Sequence, residues 1–196
     1  GLQMELCRGY VSGSGADHLD KAVRLSRDAM GQLRNAIYTL SEAPASSSSI
    51  VSTLDELCAL HMPVATRTSV AVRGRPRDLP GDIQHAVLRI AGESLFNAAV
   101  HSGASEVIVT LGYADGTVTL WVDDDGGGDP VGLRTLLRAA RAGDPAATRH
   151  RGLANMASRA EEIGGNLRIR RSRLGGIRIA VVLPIIEPGA AGDLTV

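Results

Sequence analysis

Apolar residues recur at helical spacing between residues 14 and 40. They alternate in steps of four and three, with one polar interruption, through Leu19, Val23, Ser26, Met30, Leu33, Ile37 and Leu40. This a/d pattern predicts a helix that packs against a partner helix. A second apolar stripe lies on its flank and contains Ala22, Leu25, Ala29 and Ala36. Two apolar flanks favour a helical bundle over the alternative, a helix packed only on its own domain.

A short linker follows this helix. Pro44 and the serine run Ser46–Ser49 are typical of flexible connecting chain. We therefore predict a helical segment over residues 1–43, a linker over 44–53, a second domain over 54–188, and a tail over 189–196.

The second domain has the pattern of an α/β unit. Alternating apolar and polar residues predict strands over residues 69–73, 106–111, 117–122, 167–171 and 177–183. Helical spacing predicts helices over residues 52–60, 81–101, 133–142 and 153–163. The acidic, glycine-rich residues 123–129 are predicted as a loop. Together these elements predict a two-layer α/β sandwich, with the helices on one face of a mixed sheet.

Composition and charge exclude several classes of protein. Twenty-one basic and 21 acidic residues among 196 give zero net charge, which removes the whole-chain electrostatic argument for nucleic acid or an anionic membrane as main partner. Two cysteines are too few for a disulfide scaffold or a four-cysteine zinc site, and buried free thiols in a reducing cytoplasm are expected. The chain begins at Gly1 rather than Met, so we expect a fragment whose membrane attachment, if any, lies upstream.

The first candidate site lies on the predicted helix 81–101. Glu93, Asn97 and His101 are successive i, i+4 neighbours and are predicted to share one helix face. Carboxylate and amide oxygens are hard ligands suited to Mg²⁺, and an imidazole can reach a phosphate. Polar residues at this spacing also occur on an ordinary solvated face, so the pattern alone leaves both interpretations open.

Two glycine-containing motifs follow. Three acids and three glycines at residues 123–128 leave room for a ligand beside the backbone and offer a carboxylate acceptor, although an acidic turn has the same composition. The motif lacks the GK[ST] ending of a Walker A loop. It also differs from the G-x-G-x-x-G fingerprint of dinucleotide-binding proteins, because no helical pattern follows the glycines in register. The second motif, Arg151-Gly152-Leu153, opens a predicted helix, and the free N–H groups of a helix N-terminus attract phosphate.

The order and spacing of these motifs resemble the GHKL ATPase fold, which includes sensor histidine kinases. The segment ESLFNAAVHSGASEVIVTL at residues 93–111 is similar to the N box of sensor kinases that pair with NarL-like, helix-turn-helix response regulators. The segment from Arg151 to Pro184 is similar to the rest of that catalytic domain. The resemblance covers residues 50–185, and the preceding helix resembles the second helix of the dimerisation bundle.

The resemblance implies roles for individual residues. Asn97 would be the Mg²⁺ ligand with Glu93 beside it as the catalytic pair, and Asp124 would accept from the adenine amino group. Residues 129–151 would form the ATP lid. The implied ATP-binding set is Asn97, His101, Asp124, Gly126, Gly128, Arg151, Gly152, Leu153 and Gly176.

The chain departs from the family pattern at three positions. Val100 replaces a basic residue, His150 replaces a glycine, and Ile177 replaces a threonine. Each change removes a phosphate contact or some lid freedom, and Arg149 and Arg151 are the candidates to substitute.

The phosphoacceptor histidine of the family is followed by an acid. None of the five histidines in this chain precedes Asp or Glu, so the acceptor is expected upstream of Gly1, and this fragment is not expected to autophosphorylate. The alternative is that no acceptor exists and the protein is a pseudokinase.

The predicted function is the ATP- and Mg²⁺-dependent catalytic core of a sensor histidine kinase. It would transfer phosphate to a histidine and thence to an aspartate of a helix-turn-helix response regulator, as a homodimer through the helix over 16–40, without direct contact to nucleic acid. The alternatives are a degenerate interaction module of the same fold and an anti-sigma-factor serine kinase. The bundle-like helix argues against the serine kinase, because those proteins resemble the catalytic domain alone.

Overall fold

The computed structural model describes residues 15, 49–142, 144 and 151–185. The chain divides into two compact units, Gly1–Ser48 and Ser49–Val196. The predicted helix over residues 14–40 lies outside the described residues except at position 15, as does the dimer contact assigned to it. The fold below is that of the second unit.

Four α-helices and five strands are present in the described residues. The helices are α1 (Ile50–His61), α2 (Gly81–Asn97), α3 (Pro130–Arg141) and α4 (Arg151–Glu162), and a π-helical turn (Ala98–Ser102) follows α2 directly. The strands are β1 (Arg67–Arg73), β2 (Glu106–Ala114), β3 (Thr117–Asp124), β4 (Asn166–Arg171) and β5 (Ile177–Pro184). All five predicted strands are confirmed, each extended by one to three residues.

The strands form one mixed sheet in the order β1-β2-β3-β5-β4. Strand β1 runs parallel to β2, and every other neighbouring pair is antiparallel. Strands β2 and β3 form a hairpin, whose turn ends at Gly116 with φ 66°, a conformation that favours glycine. The register places the last residues of β3 beside the first residues of β5, which pairs Asp123 with Arg178.

One face of the sheet carries the core. Alternate residues of β2 and β3 are fully buried on that face, among them Val107, Val109, Leu111, Val118 and Leu120. Helix α2 packs there against β3, while α3 and α4 pack against β4. Full burial of each such side chain contributes about 1.5–3 kcal/mol. The two-layer sandwich predicted from the sequence is therefore confirmed.

The helix starts depend on polar caps. Ser49 Oγ accepts from Ser52 N–H at 3.3 Å, so α1 begins at Ile50, within the serine-rich stretch predicted as linker. Asp129 caps α3 in the same way and is followed by Pro130, which is favourable in the first turn. Because of this cap, α3 begins three residues earlier than the sequence pattern predicts, inside the segment expected to be the ATP lid.

The predicted loop over residues 123–129 is wrong at its start, because Asp123 and Asp124 continue β3. The predicted helix over 81–101 is correct as far as Asn97, but a π-helical turn then displaces the backbone register. In such a turn the hydrogen bonds reach back five residues rather than four. The α-helical spacing predicted for Glu93, Asn97 and His101 therefore holds only from Glu93 to Asn97.

Candidate functional site

The three consecutive carboxylates of the acidic motif have different surroundings. Asp123 is 4 % exposed, and its Oδ1 accepts from Arg178 Nε at 2.7 Å and from Ser172 Oγ at 2.8 Å. The exposed carboxylate of Asp125 accepts from the N–H groups of Ser105 and Glu106 at 2.8 and 2.9 Å. Both residues thus have their carboxylates engaged in holding the fold together, and Asp124 is left as the candidate ligand-binding acid.

The Asp124 carboxylate is buried and held by one oxygen. Its Oδ1 accepts from Gly126 N–H at 2.9 Å and Ile177 N–H at 3.3 Å, and Oδ2 makes no hydrogen bond within the described residues. Burial raises the pKa of the Asp124 carboxyl, and the two backbone N–H groups partly offset that rise. The arrangement fixes the orientation of the carboxylate and leaves one oxygen able to accept from a ligand.

Two glycines permit the close packing around Asp124. A Cβ at Gly176 would lie 2.5 Å from Asp124 O and 2.7 Å from Gly126 N, and closer still to Asp124 Oδ1. A Cβ at Gly126 would lie 2.7 Å from Ser102 Oγ, because the loop passes directly against the end of the π-helical turn. Only glycine fits at these two positions without displacing backbone or a buried carboxylate.

The π-helical turn links the acidic loop to the predicted N box. Ser102, at its end, accepts through its carbonyl from Gly127 N–H at 2.8 Å. Asn97, which ends α2, is half-buried, and its side-chain amide makes no hydrogen bond within the described residues. His101 lies in the turn and is exposed. The π-helical turn therefore follows Asn97 at one end and contacts the Asp124 loop, through Ser102, at its other end.

Glu93 lies against the start of α4. A Cβ at Gly152 would lie 2.9 Å from Glu93 Cδ and even closer to Glu93 Oε1, so the carboxylate occupies the space above the first turn of that helix. A carboxylate at this position interacts favourably with the positive end of the helix dipole. The structure thus brings together Glu93 and Gly152, which are 59 positions apart and belong to different sequence motifs.

The surroundings of Glu93 are basic. Burial lowers the pKa of Arg89, and the neighbouring Arg159 lowers it further, while the Glu93 carboxylate raises it. His85 shows the same effect, since burial, Arg89 and Arg159 all lower the pKa of its imidazole. Arg89 therefore interacts with a like charge, Arg159, and with an opposite charge, Glu93.

The remaining predicted site residues have varied surroundings. Gly128 is exposed and lies against Ile177, since a Cβ at Gly128 would be 2.9 Å from Ile177 Cγ1. Leu153 is 8 % exposed and belongs to the core. The side chain of Arg151 lies outside the described part of the structure, as do His150 and Arg149.

Sequence analysis missed three residues that build the site, namely Ser102, Ser105 and Arg178. The two serines are signalled by the small-residue run after the predicted helix, which permits close approach of the acidic loop. Arg178 carries no local signal, because its partner Asp123 is 55 residues away and is reached only through the pairing of β3 with β5.

The chain is similar to known sensor kinases. It is 37% identical over 106 residues to the nitrate/nitrite sensor protein NarX of Escherichia coli, covering 54% of this chain and 16% of NarX. It is 27% identical over 157 residues to the sensor histidine kinase LnrJ of Bacillus subtilis, covering 79% of this chain and 35% of LnrJ. The chain therefore spans well under half of the length of these relatives. No family model matches it.

The fold is also that of a solved structure. The ATP binding domain of PrrB from Mycobacterium tuberculosis superposes with a TM-score of 0.51 and 26% sequence identity, covering 71% of this chain and 96% of that domain. The sequence relatives are sensor kinases, and the structural relative is an ATP binding domain. In sequence the chain is thus similar to sensor kinases, and residues 49–185 have the α/β fold of an ATP-binding domain of the GHKL type.

Proposed function

We propose that this chain binds ATP between the Asp124 loop and the start of α4, as the catalytic core of a two-component sensor histidine kinase. The observation that carries the proposal is the Asp124 carboxylate, which is buried and held through Oδ1 by two backbone N–H groups. Its Oδ2 makes no hydrogen bond within the described residues and would accept one from the adenine amino group. Because Oδ1 already accepts two backbone hydrogen bonds, the orientation of the carboxylate, and so the position of Oδ2, is fixed.

The phosphates would lie towards α4. Gly152 is in the first turn of that helix, where free N–H groups and the helix dipole stabilise an anion. The absence of a side chain at Gly152 leaves space for either the Glu93 carboxylate or a phosphate oxygen.

Asn97 and Glu93 fit a magnesium ion bound together with nucleotide. Mg²⁺ prefers oxygen ligands and is usually held by one or two protein groups, several waters and the substrate phosphates. Within the described residues no three His, Cys, Asp or Glu side chains come together as a metal cage, which agrees with that mode rather than with a metal site made by protein alone. When bound, Mg²⁺ neutralises phosphate charge in phosphoryl transfer.

Catalysis of this kind depends on positioning. The nucleotide must present its γ-phosphoryl group in line with the attacking nitrogen of a histidine, with little covalent work for the protein. None of the five histidines of this chain is followed by an acid, so the acceptor is proposed to lie in a segment upstream of Gly1. The phosphoryl group would pass on to an aspartate of a response regulator with a helix-turn-helix output domain, and the predicted helix over residues 16–40 would form a homodimer.

A second candidate is a degenerate module of the same fold that no longer transfers phosphate. One observation favours it. Ile177, in place of the expected threonine, is buried and lies against Gly128, so an apolar side chain stands where the family has a hydroxyl. The two candidates differ in whether nucleotide binds.

Calorimetric titration with a non-hydrolysable ATP analogue separates them. We expect binding that depends on Mg²⁺, with Asp124→Asn reducing the affinity at least about tenfold, the effect of one lost hydrogen bond to a charged acceptor. Asn97→Ala should leave weak binding that no longer depends on Mg²⁺. Asp115→Asn, in the exposed β2–β3 turn, is the matched control and should leave the affinity unchanged. No binding at millimolar analogue in a folded sample would overturn the kinase proposal and favour the degenerate module.

A further inference from the structure

A groove of about 520 Å³ lies between α3 and the edge strand β4. More than half of its lining residues are arginines, three from the helix and two from the strand, namely Arg134, Arg138, Arg141, Arg168 and Arg170. No acidic residue is among the described residues that line it. The groove therefore concentrates positive charge on a chain whose net charge is zero.

Two of these arginines are engaged within the domain. Arg134 Nη1 donates to the carbonyl of Ile169 at 3.2 Å, and Arg141 forms an ion pair with Glu161. Arg138, Arg168 and Arg170 are exposed, and none of the three has a hydrogen bond or ion pair with another described residue. Three guanidinium groups thus remain able to bind an anion.

The spacing of the arginines matches an extended chain. Arg134, Arg138 and Arg141 occupy positions i, i+4 and i+7, which lie on one face of α3. Arg168 and Arg170 are two residues apart on an edge strand, a separation of roughly 7 Å. Alternate side chains of an extended peptide have the same separation, so carboxylates at every second position would match the arginines of β4. The apolar lining residues Leu137, Leu167 and Ile169 are buried. A ligand in the groove would therefore contact mainly the charged arginine side chains.

We infer that this arginine groove docks an acidic, extended segment of a partner protein. Guanidinium groups bind carboxylates through paired, charge-assisted hydrogen bonds. Nucleic acid is the less favoured occupant, because none of the described residues that line the groove is aromatic and able to stack with bases. The groove is built from α3 and β4 rather than from the Asp124 loop, so the inference does not rest on nucleotide binding.

Fluorescence anisotropy with the whole 196-residue chain tests the inference. The probe is a labelled polyglutamate peptide of about ten residues, roughly 33 Å long when extended. We expect saturable binding that weakens as the salt concentration rises from about 50 to 200 mM. The double variant Arg138→Glu/Arg170→Glu should reduce the affinity about tenfold, since each lost pair is worth up to a fewfold and reversal adds repulsion. The milder variant Arg138→Gln/Arg170→Gln should reduce it less, and provides a second test if the reversal impairs folding.

The control variant is Arg75→Glu, an exposed arginine in the loop between β1 and α2. It makes the same change of charge per residue and should leave the affinity nearly unchanged. No binding of the peptide, or equal losses in the control and the groove variants, would overturn the inference. Tighter binding of a single-stranded oligonucleotide of equal charge through the same arginines would assign the groove to nucleic acid instead. A doubling of the mass by light scattering that the reversal abolishes would assign it to a second copy of the chain.

Discussion

Substitution of Gly176 by alanine tests the packing around Asp124 most directly. The φ angle of Gly176 is not among the positive ones, so alanine can adopt the backbone conformation and the effect is purely steric. Its Cβ would lie 2.5 Å from Asp124 O and 2.7 Å from Gly126 N. To restore an ordinary contact of 3.4 Å, the backbone oxygen would have to move by roughly 0.9 Å. The atoms that must move belong to a strand and a tight loop, which cannot swing aside as a flexible side chain does.

The cost can be estimated from the structure. Overpacking of a rigid site costs about 1–3 kcal/mol, and displacement of Asp124 weakens its hydrogen bonds from Gly126 and Ile177. A hydrogen bond to a charged group is worth about 1.5–3 kcal/mol. We therefore expect Gly176→Ala to lower the free energy of unfolding of the domain by about 2.5 kcal/mol, taking the overpacking and one such bond at their lower values.

Thermal unfolding followed by circular dichroism measures this change. For a chain of this length, about 2.5 kcal/mol corresponds to a fall in melting temperature of roughly 5–10 °C. Gly152→Ala provides a contrast, because the atoms in its way are the end of the Glu93 side chain. That side chain can rotate, and alanine gains up to about 1 kcal/mol over glycine in a helix, so the change should be small. Gly81→Ala, with nothing within 4 Å of its Cβ, is the control without a steric clash. A melting temperature for Gly176→Ala equal to that of Gly81→Ala would refute the reasoning.

Three further predictions concern stability and are measured by urea denaturation. Arg178→Ala removes the cation beside the buried Asp123 and should cost about 2 kcal/mol, whereas Arg170→Ala in the neighbouring strand should cost little; equal costs would contradict the pairing. Burial raises the pKa of the Cys58 thiol to about 11, so the native state keeps its proton longer than the unfolded state. The free energy of unfolding should therefore fall between about pH 9 and 11. In the Cys58→Ala variant it should fall less over that range. Asp129→Ala removes the α3 cap and should cost about 1 kcal/mol; no loss would mean that Pro130 alone defines the helix start.

The arrangement of elements was largely predictable from the sequence. Each strand and helix of the second unit appears in the local period of apolar residues, because burial on one face demands a period of two in strands and 3.6 in helices. The element ends were less predictable. Capping by Ser49 and Asp129 starts two helices before the first residue predicted from apolar spacing. A cap is a polar residue, so it does not contribute to the apolar period. The apolar pattern did not predict the π-helical turn after Asn97.

The candidate site was predictable as three motifs but not as an assembly. The motifs contain Glu93, Asn97, Asp124 and Gly152, and their order carried the resemblance to a known fold. The resemblance pointed to Asp124 as the ligand-binding carboxylate, but the residue pattern did not show how the two adjacent carboxylates are held by the fold. That difference depends on Arg178, which reaches Asp123 across two strands.

The sequence alone determined the class of fold, the family resemblance and the residue types available for chemistry, because these follow from local patterns and their order. The tertiary structure decided how those residues are used. Pairing of β3 with β5 neutralises Asp123, while packing of Gly176 and Gly126 fixes Asp124. Docking of α3 beside β4 gathers arginines from two distant segments into one groove. Contacts of this kind join residues tens of positions apart, and they exist only once burial of the apolar faces has brought the elements together.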